Sequence, residues 1–166
     1  ALSCDQQGMK EEAQNNTVPV SMTFRASNGP ISRTYLDGAY VKWHNDDAIS
    51  VFDALTAGKD VEHNRQFDVA EIDGGGVASF IGTAAVSAVY YAAYPYNEDN
   101  YATSEGKVRT EISAMQTAST AQSFGKGANP SVAILKDGMF TFYNIAGLLK
   151  FTLSHDNVTA ITVSAK

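Results

Sequence analysis

Any chemistry in this chain has to come from one cysteine, three histidines and a few clustered carboxylates. Cys4 has no second thiol, which excludes an internal disulfide, a cysteine-based metal site and a CxxC redox motif. His44, His63 and His155 fall in loop or turn sequence. No two of them share the i, i+4 spacing that puts two imidazoles on one helix face, so they read as solvated loop histidines. Asn45-Asp46-Asp47 and Asn97-Glu98-Asp99-Asn100 are oxygen-rich, but they lack the glycine and distal glutamate of an EF-hand loop and read as turns. Asp46/Asp47 and Glu98/Asp99 are adjacent pairs, and neighbours in extended chain point to opposite sides, which disfavours the paired acid and base of glycoside hydrolysis. Gly74-Gly75-Gly76 and Gly125-Lys126-Gly127 neither open a helix nor carry the Lys-Ser/Thr pair of a phosphate loop, and they read as flexible loops. No serine sits in a GxSxG elbow. The expectation is a protein without catalytic residues, metal or cofactor.

What remains distinctive about Cys4 is its place. Ala1-Leu2-Ser3 precede it and the polar stretch Asp5-Gln6-Gln7-Gly8-Met9-Lys10-Glu11-Glu12 follows. Small and apolar residues before a lone cysteine, with a solvated tether after it, resemble a bacterial lipobox, whose cysteine becomes the acylated first residue. On that reading the sequence begins at a trimmed signal boundary, residues 1–16 are a disordered tether, and Cys4 anchors an exported domain at a membrane surface.

The elements that must position any site are strands. The chain has 166 residues, 44% hydrophobic and 18% charged, a globular composition with room for one sizeable core. Its formal net charge is −6 and its cations are scattered singly, which argues against nucleic acid as a partner. No apolar run reaches the ~20 residues of a membrane-spanning helix. From Thr17 onward the period is two: Val18, Val20, Met22 and Phe24 alternate with polar neighbours, predicting a half-buried first strand. Tyr40–Trp43 and Ala48–Phe52 read as two strands joined by a hairpin loop at His44–Asp47. Further strands are expected at Arg65–Val69, Val77–Gly82, Lys107–Ile112, Val132–Leu135, Met139–Tyr143, Leu148–Ser154 and Val158–Val163. Ala88–Tyr94 reads as a central strand buried on both faces, stopped by Pro95. Thr110–Gln122 reads mostly as loop, and Lys136-Asp137-Gly138 as a tight hairpin. This many short strands between turn signals indicate an all-β sandwich of about seven to nine strands. Tyr90, Tyr91, Tyr94, Tyr96, Phe140, Phe142, Tyr143 and Trp43 are expected to build its core, the alternative being an exposed platform for stacking sugars.

In order along the chain stand Arg33-Thr34-Tyr35-Leu36-Asp37-Gly38, Val41-Lys42-Trp43, and Asp47-Ala48-Ile49-Ser50-Val51-Phe52. Phe80-Ile81-Gly82, Tyr90-Tyr91-Ala92-Ala93-Tyr94-Pro95-Tyr96, Gln116 and Phe142-Tyr143-Asn144-Ile145-Ala146-Gly147-Leu148-Leu149-Lys150-Phe151 follow. This ordered set resembles fimbrillin-like proteins of Gram-negative anaerobes. The resemblance implies a transthyretin-like, Greek-key β-sandwich over residues 17–166, matching the family's N-terminal domain; against the family's usual second domain, the expectation is either an excised N-terminal domain or a truncated relative. It implies a fimbrial subunit or adhesin at the cell outer membrane, whose partners are other fimbrial subunits and, through lipidated Cys4, the membrane itself. It also implies assembly by strand exchange: an arginine-specific protease removes the first strand and a neighbour's strand fills the groove. Cleavage is expected after Arg33, in a Gly/Pro-bounded linker, in preference to Arg25, which is held in the strand; the alternative is a strand that stays in place for good, as in an anchor or non-polymerising relative. The competing function is a surface lipoprotein that binds glycans or proteins through exposed aromatics.

Overall fold

The computed structural model describes residues 18–28, 35–37, 40–53, 63–112, 114, 115, 117, 125, 127–146, 154–159, 161 and 162. Every regular element among them is a strand: β1 (Val20–Asn28), β2 (Tyr35–Asp37), β3 (Tyr40–Lys42), β4 (Ala48–Phe52), β5 (Asn64–Ile72) and β6 (Ala78–Ala84) come first. Then come β7 (Tyr91–Tyr94), β8 (Tyr101–Ala102), β9 (Val108–Arg109), β10 (Ser131–Lys136) and β11 (Met139–Asn144). Alternation explains the longer ones. Along β1, Phe24 and Ala26 are buried while Thr23 and Arg25 are exposed, the one-face pattern a half-buried strand needs. The core-facing run begins at Met22, two steps later than expected. Val18 and Val20 are exposed, because β1 enters at the rim of the fold, opposite Ala84 and beyond the stretch that β11 also flanks.

The all-β expectation holds, with the strands paired edge to edge into a ring. Seven strands close a hydrogen-bonded ring in the order β1–β11–β10–β7–β4–β5–β6, with β6 returning to β1. All neighbours are antiparallel except β1 and β11, which run parallel. β10 and β11 form the expected hairpin; Asp137 (φ 50°) and Gly138 (φ 76°) both take the left-handed conformation that a two-residue turn between twisted strands demands. The expected hairpin between β3 and β4 is absent. β3 pairs with β2, β4 pairs with β5 and β7, and His44–Asp47 is a turn. Alternation marks which face of a strand is buried but not which edge finds which partner.

Other expectations shift with this topology. The strand expected over Lys107–Ile112 shrinks to β9, which pairs with β8 in a small hairpin. The strand expected at Ala88–Tyr94 becomes β7, flanked by β4 and β10. Ala92, Ala93 and Tyr94 are buried there, but Val89 is exposed. The segment expected as the last strand is not one in its described residues: 158, 159, 161 and 162 lie in no sheet, with Val158 and Ile161 exposed. Residues 148–153 of the strand expected before it lie outside the described residues.

The ring encloses Phe24, Trp43, Phe67, Phe80, Tyr90, Tyr94, Phe140 and Phe142 together with Ile49 and Val51. Trp43 meets Phe80, Phe142 and Tyr94 edge-on, with centroids 5.1, 5.4 and 5.6 Å away, the geometry that ring quadrupoles favour. Gly82 is required by a close approach: a Cβ there would lie 2.5 Å from the Gln66 carbonyl and 2.7 Å from the Phe67 ring. Its missing side chain lets Phe67 lie across β6 and reach Phe24 on β1. Outside the ring, Phe52, Ala93 and Ala102 form a second small cluster, which explains why β4 is buried on both faces.

Candidate functional site

The most developed constellation is the slot that β1 occupies between β6 and β11. β1 pairs with β6 from Val20↔Ala84 to Ala26↔Ala78, and with β11 from Arg25↔Met139 to Asn28↔Phe142. Arg25 and Ala26 are therefore paired on both edges, while Val20–Phe24 are paired with β6 only and Ser27 and Asn28 with β11 only among the described pairings. Inward, the Phe24 ring sits 5.0 Å from Tyr90, 5.2 Å from Phe140 and 5.3 Å from Phe67. The Tyr90 hydroxyl donates to the Ala85 carbonyl (2.9 Å), accepts the Ser87 N–H (2.9 Å) and lies 3.5 Å from the Met22 sulfur. Outward, the Arg25 guanidinium is 3.8 Å from Asp73, both half exposed, and the hydroxyls of Ser27 and Thr141 lie 3.5 Å apart. Asp73 in turn holds the β5–β6 turn, its Oδ1 accepting the Gly75 and Val77 N–H groups at 2.9 Å. The triple glycine expected as a flexible loop is thus a turn organised by the carboxylate before it.

Two buried carboxylates mark other parts of the ring. The side chain of Asp53, just beyond β4, is inaccessible to solvent. It accepts the Ala85 N–H at 2.8 Å and the Arg65 Nε–H at 2.9 Å, and its Oδ1 lies 2.8 Å from His63 Nδ1. Burial pushes the Asp53 carboxyl up. The hydrogen bonds from Ala85, Arg65 and His63, with the Arg65 charge, outweigh it and hold the group below its ordinary range. This joins the ends of β4, β5 and β6, and it makes His63 a half-buried structural partner, where a solvated loop residue was expected. Asp47 accepts the Tyr94 hydroxyl (3.0 Å) and the His44 N–H (2.7 Å). Burial, the Asp47 charge and the hydrogen bond to it push the Tyr94 phenol far above its ordinary range. Asp46 beside it is exposed, so the adjacent pair does point apart. Both carboxylates are buried and hydrogen-bonded to neighbouring strands and turns.

A groove of about 410 Å³ opens on the outside of the ring, lined by Gly106 and Val108 of the β8–β9 hairpin and by residues of β7, β10 and β11. Tyr91, Val108, Val132, Ile134, Lys136 and Tyr143 line it, with Ile134 and Tyr143 more than half exposed. The aromatic platform weighed from sequence loses Trp43 and Tyr94, which are buried, and this groove was not anticipated. Its residues look like core in sequence because they alternate on strands; only the pairing order puts their side chains outside.

Of the expected site residues, Arg25 lies on the exposed face of β1 with its backbone opposite Ser79 and Met139. Cys4 and Arg33 lie outside the described residues, as do Gln116 and the 147–151 end of its last motif. His44, beside Asp46, and His155, beside Ser154, are exposed. Among the described residues no group of three or more His, Cys, Asp or Glu could hold a metal ion, and no helix is long and apolar enough to cross a membrane. No protein-family model, curated protein or solved structure matches this chain.

Proposed function

We propose that this chain is a structural subunit or adhesin of cell-surface fimbriae, exported as an outer-membrane lipoprotein and assembled with other fimbrial subunits by strand exchange. The observation that carries the reading is β1 itself. It is a single N-terminal strand that completes the ring, contributes Phe24 and Ala26 to the core, and is bonded to two strands distant in sequence. Removing it would bare an apolar slot and two rows of unpaired backbone groups, which an incoming strand with the same alternation would satisfy. The resemblance of the ordered motifs to those of fimbrillin-like proteins points the same way. A transthyretin-like Greek-key sandwich, with the ring flattened into two faces, is the finer fold that goes with it. Binding of glycans or proteins in the Tyr91–Tyr143 groove ranks second, supported by that groove alone.

Arg25 is held in the ladder on both sides, which supports Arg33 over Arg25 as the processing site. Limited digestion of the folded protein with an arginine-specific protease is expected to cut after Arg33. Sequencing of the new N-terminus and a sizing column should then show oligomers, or uptake of a synthetic strand. Resistance at Arg33, or a cut chain that neither assembles nor takes up a strand, overturns the proposal. Separately, expression with a native signal sequence is expected to give an acylated, membrane-associated protein, and Cys4→Ala a released one. Mass spectrometry showing an unmodified Cys4 at the mature N-terminus would remove the anchor from the proposal.

A further inference from the structure

We infer that the β1 slot selects its strand by size at two positions: an aromatic ring where Phe24 sits, and a side chain no larger than alanine where Ala26 sits. The inference rests on the strand-exchange reading and names the kind of partner segment that reading requires.

The three inward positions of β1 are not equivalent. Met22 is half buried near the rim, so its site accepts any flexible apolar group. Phe24 enters a pocket walled by three rings that are themselves fixed. Phe67 and Phe140 are fully buried, and Tyr90 is pinned through its hydroxyl to Ala85 and Ser87. Walls held this way cannot collapse onto a smaller side chain, so an aliphatic residue leaves a void. Ala26 is fully buried, registered against Ala78 on one side and Phe140 on the other, and a larger side chain must displace one of them. Polarity is fixed too. The entering strand runs antiparallel to β6 and parallel to β11, and reversing it changes the bonding pattern along both neighbours.

The fitting partner is therefore an extended segment of another chain reading, from its N-terminal side, apolar–x–aromatic–x–small, with polar residues between. This chain holds one near match of its own, Ile161-Thr162-Val163-Ser164-Ala165, against Met22-Thr23-Phe24-Arg25-Ala26. It ends on alanine as required but puts valine in the ring pocket, which ranks it as a weak occupant.

The test uses the full chain nicked between β1 and β2 at Arg33. Labelled peptides of the Val20–Asn28 sequence, its F24V, F24A and A26L variants, and Thr159–Lys166 with and without V163F then compete for the slot. The native peptide is expected to exchange in most tightly, with F24V weaker by about tenfold and F24A or A26L by about a hundredfold. V163F is expected to strengthen the Thr159–Lys166 peptide by about tenfold. A native peptide that exchanges no better than F24A and A26L overturns size selection while strand exchange stands. If no peptide exchanges, the native one included, strand exchange falls and this inference falls with it.

Discussion

Trp43→Ala is expected to lower unfolding free energy by ~3–5 kcal/mol, near the upper end for a single truncation. The indole is 3% exposed and is touched by Phe80, Tyr94 and Phe142, which come from three different strands of the ring. Its removal leaves a void bounded by buried rings on three strands held apart in a closed ring, so little relaxation can fill it. Because Trp43 is the chain's single tryptophan, the transition has to be followed by circular dichroism in urea, comparing wild type, Trp43→Ala and Trp43→Phe. Trp43→Phe is expected to recover a good part of the loss. An unchanged midpoint in Trp43→Ala would mean that the indole is not part of the packed interior.

Asp53→Asn is expected to cost about 3 kcal/mol at neutral pH, the lower end for breaking a buried ion pair, because Arg65 and His63 each keep some contact with water. The pH dependence has a definite sign. Asp53 is held below its ordinary range when folded. Its contribution is therefore fully present above the unfolded carboxyl's pKa and is lost as pH falls through the folded value. Wild-type stability should decline on acidification below about pH 4, the ordinary carboxyl range, and the asparagine variant should show a shallower decline from a lower start. Equal acid limbs in the two proteins would show that Asp53 titrates normally, and the account of its surroundings would fail.

How far these features could be read from sequence differs residue by residue. The strands at Val20–Asn28, Ala48–Phe52, Ser131–Lys136 and Met139–Asn144 were legible because alternation, apolar runs and an Asp-Gly turn are local signals. Trp43 and Tyr94 were legible as core because large aromatics in strand sequence rarely find enough cover elsewhere. Asp53 was not: nothing within ten residues of it in sequence announces that Arg65 and the Ala85 N–H will converge on its carboxylate. Gly82 sat in a motif, yet the reason for a glycine is the Phe67 ring crossing from the next strand. The outer groove was missed for the same reason, since Val132 and Tyr143 alternate as core residues would, and only their place in the ring turns them outward. Val158 and Ile161 mislead in the opposite sense: β-branched residues read as strand, but both are exposed and lie in no sheet.

The parallel joint between β1 and β11 bears on how the domain carries load. The two strands point the same way, so a pull on the start of β1 and an opposing pull on the end of β11 act along the strands, not across them. The hydrogen bonds of that joint then lie across the direction of force and are loaded in shear together. A hairpin pulled at its two ends, by contrast, unzips one bond at a time. The β1–β6 ladder adds a second set loaded along the same strand. A domain built this way resists tension through the joint between β1 and β11, so the strand in that slot sets the force at which the domain comes apart.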